Sequence, residues 1–197
     1  MSQVTISPED QARARAREYF AANGTQASAA QVHERVAAAF SALDAALTGV
    51  TAVQASRRPI AGEWSAQEIV DHLLETHRPG VDELRCLLAG QRPPGEPIPA
   101  ALQSKAPGLR PWSWLLDELR RVHREILDLL AAVPPDAPTE ARGPIVMVVN
   151  VPGPDGVAVP LHWVEDLDWK AYAIVWRLHA IDHLKQLKKV LAAGEKA

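Results

Sequence analysis

The chain has 197 residues, enough for one domain with a sizeable core. A net charge of −3 excludes the basic footprint of a nucleic-acid or anionic-membrane binder, and the single cysteine, Cys86, excludes an internal disulfide. No apolar run approaches membrane-spanning length and no secretory pattern opens the chain, so a cytoplasmic protein is expected.

Ser7-Pro8-Glu9-Asp10 starts a helix, with Ser as N-cap, Pro at the first helical position and acids in the first turn. It is expected to end near Ala22, before Gly24. The alternate Arg13, Arg15 and Arg17 read as its solvated face. Ser28 and Gln31 form a capping box ahead of Val32, Val36, Phe40, Leu43 and Leu47 at helical spacing. His33 lies at the edge of that arc and reads as structural.

Residues 50–63 read as loop. Trp64-Ser65-Ala66-Gln67-Glu68 is the clearest capping box in the chain, and the helix it starts is expected over about 65–89, kinked at Pro79-Gly80. Two histidines sit on it. Periodicity puts His77 at the centre of the apolar arc and His72 at its edge. Glu68 and Glu75 flank His72 and read as surface carboxylates, while Cys86 reads as a buried, inert thiol beside Leu87 and Leu88.

Residues 90–111 hold six prolines and three glycines, a connection long enough to cross a bundle and let the next helix run parallel to the last. Trp112 to about Val133 is that next helix, with His123 on its apolar stripe. Ile145–Val151 is β-branched and strand-like, residues 152–156 form a turn, and Val157–Leu161 returns as a short second strand. The last helix is expected to start at Glu165 or Asp166 and to end near Ala193.

In that last helix His179 and His183 fall on one face, a turn apart, with Tyr172, Trp176, Leu187 and Val190 around them. Two imidazoles at i and i+4 can reach one metal ion. Ile174, Leu178 and Ile181 form an apolar stripe on the opposite face, which calls for cover from the N-terminal helix or from a second copy. A di-iron bundle is excluded, because no Glu is followed three residues later by His.

Trp64-Ser65-x-x-Glu68-x-x-x-His72-Leu73, followed a hundred-odd residues on by His179-x-x-x-His183-x-x-Gln186, resembles the DinB-like (DinB/YfiT) superfamily of metal-dependent enzymes. The resemblance covers roughly residues 28–193. It implies a mainly α fold: a four-helix bundle in up-down-down-up order, here with an extra N-terminal helix (1–26) ahead of the bundle domain (27–197) and a small β-hairpin before the last helix. It also implies a divalent metal, zinc or nickel, on three histidines. These map to His72, His179 and His183, with His77 as the second choice on its helix.

The added helix and the long segment before the last helix depart from the family pattern and affect the shape of the pocket. His77, His123, Tyr172, Trp176, Asp182 and Gln186 are the residues expected around the metal or along the pocket. No general base is evident. Members of the family are hydrolases or thiol S-transferases, so the expected partners are a small-molecule substrate, a low-molecular-weight thiol and a second copy in a homodimer. The rival reading is a metal-free helical binding or dimerisation module, its histidines serving as core residues.

Overall fold

Four long helices enclose the core of the computed structural model, which describes residues 7–153 and 155–195. Ser7 accepts from the Asp10 amide at the start of α1, Pro8–Phe20, which widens into a π turn over Ala21–Thr25. Reciprocal capping boxes, Ser28 with Gln31 and Ser65 with Glu68, start α2, Ala29–Leu47, and α4, Ala66–Leu88. Between them α3, Ala52–Ser56, has its own box, Thr51 with Gln54. The sequence reads as loop there because five residues are too few to show a period. The helix α4 continues through Pro79 to Leu88. The third helix of the bundle is α5, Trp112–Ala131, and the fourth is α6, Trp169–Gly194.

Side-chain pairs fix the helix directions. Arg78 meets Glu118 and Arg85 meets Glu125, so α4 and α5 advance together and are parallel. On the other side His72 meets His179 and His183, and His77 meets His179, while Gly80 meets Trp176 and Glu83 meets Tyr172, so α4 and α6 run oppositely. Asp44 pairs with Arg120 and Phe40 with His123, making α2 and α5 antiparallel. The order is therefore up-down-down-up. Parallel neighbours α4 and α5 need a connection as long as the bundle, and residues 90–111 provide it.

The hairpin is longer than the sequence suggests. Strands β1, Gly143–Pro152, and β2, Ala158–Leu167, pair over their whole length, from Gly143 opposite Leu167 to Pro152 opposite Ala158. Glu165 and Asp166 therefore belong to β2 and do not start the last helix. Their backbones pair with Ile145 and Pro144, and Asp168 caps α6 by accepting from the Lys170 and Ala171 amides. One hairpin face, with Met147, Val151 and Leu167 buried, packs on the body. The other, with Val148 and Val164, is exposed.

The N-terminal segment docks on the start of α6 and on the hairpin. Arg17 donates twice to Glu165 at 2.9 and 3.1 Å, Arg177 donates to the Tyr19 hydroxyl at 2.6 Å, and Lys170 donates to the Ala27 carbonyl at 2.9 Å. Ile174 is buried, Ile181 is half-buried, and Leu178 lines a cavity beside the histidines. The expected outward stripe is thus divided among three surroundings, because a helix in contact with the bundle, the N-terminal segment and the hairpin has no free side of uniform character. Among the described residues no helix is long and apolar enough to cross a membrane.

Two glycines are fixed by close approach. A Cβ on Gly24 would lie 2.6 Å from the Ala171 Cα, and one on Gly80 would lie 2.7 Å from the Trp176 ring. Overpacking of this kind costs about 1–3 kcal/mol, which outweighs the roughly 1 kcal/mol that Ala gains over Gly in a helix. Gly24→Ala, where the obstacle is backbone, is expected to lower the melting temperature most, and Gly80→Ala less, since the Trp176 ring can shift. Gly194→Ala, whose nearest atom is 3.9 Å away, should leave it unchanged or raised. Calorimetry of the three variants checks this ranking.

Candidate metal centre

Antiparallel packing of α4 on α6 brings His72 against His179 and His183. The His179 Nε2 lies 2.9 Å from the His72 Nε2 and 3.0 Å from the His183 Nε2, and the three ligand atoms all lie within 4.8 Å of one another. His72 is buried, while His179 and His183 are half-buried and form the accessible side. The Trp64 ring lies parallel to His183 at 6.2 Å and against His72 at 5.0 Å, walling the cluster on another side.

Each imidazole is held from behind through its Nδ1. The His72 Nδ1 donates to the Leu102 carbonyl at 2.7 Å, and the His183 Nδ1 donates to the Gln186 Oε1 at 2.9 Å. A carbonyl can only accept, so both rings carry their proton on Nδ1 and turn the Nε2 lone pair inward. The His179 Nδ1 instead meets the His77 Nε2 at 3.1 Å, and the His77 Nδ1 meets the His123 Nε2 at 3.1 Å. His123 in turn stacks on Phe40, with centroids 3.7 Å apart and rings 7° from parallel. Thus His77, central on the apolar arc as periodicity indicates, stands behind a member of the cluster and is not itself one of the three. Gln186 is in contact with the cluster. Asp182 is not, and accepts from Lys185 at 2.9 Å.

The donor set fits a divalent cation. The His179 Nε2 lies about 3 Å from two inward-facing imidazole nitrogens, and a proton on it could be aimed at only one of them, whereas a cation satisfies all three. Carbonyl or amide oxygens behind two of the rings and an imidazole behind the third are the supports that orient metal-binding histidines.

The crossing segment is tied to the first turns of α4. The Gln103 side chain donates to the Glu68 carbonyl, and the Ser104 amide and hydroxyl both donate to Asp71 at 2.8 Å. Arg110 bonds Glu75 at 2.6 Å and lies 3.2 Å from Asp71, which is fully buried. These bonds place the Leu102 carbonyl. Glu68, expected at the surface, is buried: burial raises its pKa, but hydrogen bonds from Ser65 and Arg58 outweigh that and hold it below the usual value. Cys86, expected to be buried, is half-buried.

A cavity of about 460 Å³ opens from His179 and His183 between α6, the crossing segment and β1. Tyr172 and Trp176 line it. The Tyr172 hydroxyl donates to the Glu83 carboxylate, and burial, then Glu83, pushes the phenol far above its ordinary value. Three contributors have no signal in the sequence: the Leu102 carbonyl, the Trp64 ring as a wall, and His162 on the hairpin. A backbone acceptor has no residue type, and only the strand register places His162.

Burial holds the clustered imidazoles neutral. It is the main cause lowering His72, His77, His123, His179 and His183, with His123 at about 3 and His183 at about 4. A histidine whose folded pKa is depressed is protonated first in the unfolded chain, so its contribution is fully present above about pH 6.5 and is lost as pH falls below that. His123 and His183 are each expected to cost about 1 kcal/mol of stability on going from pH 7.5 to 5.5, and the others act in the same direction. Urea unfolding of chelator-treated protein across this window, above the range where carboxylates titrate, checks the direction.

Two solved structures share this architecture. TT2238, a four-helix bundle protein, superposes with a TM-score of 0.52 at 18% identity, over 82% of this chain and 99% of that one. YfiT from Bacillus subtilis, described as "a probable metal-dependent hydrolase with an unusual four-helix bundle topology", gives a TM-score of 0.52 at 20% identity, over 96% of this chain and 91% of that one. No curated protein matches the chain. The model of the DinB superfamily matches residues 35–187, which include all three clustered histidines. The chain belongs to the DinB superfamily.

Proposed function

We propose that the protein is a metal-dependent hydrolase whose divalent ion is held by His72, His179 and His183. The observation that carries this is the convergence of three Nε2 atoms, each on a ring backed at its Nδ1. The description of YfiT as a probable metal-dependent hydrolase supports the reaction class. Three imidazoles suit zinc or nickel. His72, His179 and His183 would hold the ion, which would supply a Lewis acid able to activate water for hydrolysis.

The chain's own residues do the rest. Leu102, Gln186 and His77 orient the three rings and fix which nitrogen faces inward. Trp64 closes one side of the cluster to solvent, while the cavity beside His179 and His183 leaves the other side open to substrate. Tyr172, committed to Glu83, shapes the wall and keeps its proton.

Elemental analysis of the untagged protein is expected to find about one zinc or nickel per chain, and none in His179→Ala. His77→Phe should bind the same stoichiometry at saturation, with about 10–100-fold weaker affinity in chelator competition. Loaded protein is then expected to turn over members of an ester and amide panel without added thiol. Absence of metal after incubation with zinc and nickel overturns the reading. Turnover only of electrophiles offered with a thiol replaces hydrolysis by S-transfer.

A further inference from the structure

The cavity wall away from the histidines has a consistent chemistry. On the hairpin it is lined by Ile145 through Val149 of β1 and by His162, directly across from Val148. Leu178 and Trp176 line it from α6, and Ile98 from the crossing segment. Among the described residues lining the cavity there is no lysine or arginine, and the one carboxylate, Asp182, accepts from Lys185. The hairpin leaves Val148 43% and Val164 54% exposed, with Val164 directly across from Val146. Apolar side chains are therefore left uncovered on the hairpin beside the cavity. The volume, about 460 Å³, lies in the range that takes a small organic molecule.

We propose that the substrate of this site has an apolar body with no carboxylate or phosphate beyond its reacting group, seated between the Val146–Val148 stretch of the hairpin and Leu178 of α6. The reacting end rests on the metal reading, but the seat of the body does not. A carboxylate pressed against this wall loses water and meets no cation. A methylene added to the body instead removes apolar surface from water at the wall, worth about fourfold in affinity.

The test uses the full chain, both as purified and after chelation. N-phenyl-1-naphthylamine, an uncharged fluorophore, is bound and then displaced by straight-chain alkanamides of four to eight carbons, and by the same amides carrying a carboxylate at the far end. Displacement is expected to tighten about threefold to fourfold per methylene for the plain amides. The far-end carboxylate should weaken it at least tenfold. Val148→Lys, at a position exposed enough to accept the change, should narrow that gap about tenfold, and Leu178→Glu should weaken the plain amides throughout. Failure of the fluorophore to bind, no dependence on chain length, or equal displacement by the carboxylated series overturns the proposal. Failure of the metal reading appears separately, as absence of metal in the protein as purified, and leaves the displacement series unaffected.

Discussion

The His179 Nε2 stands about 3 Å from the Nε2 atoms of both His72 and His183, and the rest of the molecule can be understood as what holds the three rings there. No single helix does it. His179 and His183 share a face of α6 because they are four residues apart, but His72 must be brought up from α4, and each ring must be kept from rotating away. The Nδ1 contacts supply that restraint, and each comes from a different source: a loop carbonyl, a neighbouring amide on the same helix, and a buried histidine on the facing helix.

The loop carbonyl follows from topology. Because α4 and α5 are parallel, the chain must travel back along the bundle between them, and it passes the first turns of α4 on the way. Asp71, fully buried next to His72, turns this passage into a fixed structure by accepting twice from Ser104, with Arg110 against it. The connection that the parallel arrangement requires is thus also the part that orients His72. In the same way the row from His179 through His77 to His123 carries the restraint into the core, ending on the face of Phe40.

Much of the fold is legible in the sequence because helix starts are local: Ser7, Ser28 and Ser65 each announce a helix through three or four residues. The choice between His72 and His77 is different. Periodicity reports depth, and depth does not separate the two, since His77 has no exposed surface and His72 only 1%. Depth is also not ligation. The middle of the arc serves as backing, while its edge, where α4 meets α6, points into the cluster, and only the family pattern picks that edge. The hairpin reads shorter in the sequence because the charged Glu165 and Asp166 look like a helix start, although Pro160 is read within the strand. In a two-stranded ribbon every strand is an edge, and proline is tolerated there.

Segments outside the four bundle helices help attach the hairpin to the body. Glu165 on β2 is gripped by Arg17 of α1, and Gly143 at the base of β1 packs against Pro93 of the crossing segment. The side chains that hold the three imidazoles come from the bundle helices themselves, apart from the Leu102 carbonyl. This separates two inheritances within one chain: the histidine cluster belongs to the scaffold, and much of the wall facing it belongs to appended pieces. In such a protein the shape of the cavity can change by editing a ribbon and its N-terminal clasp, leaving the cluster as it was.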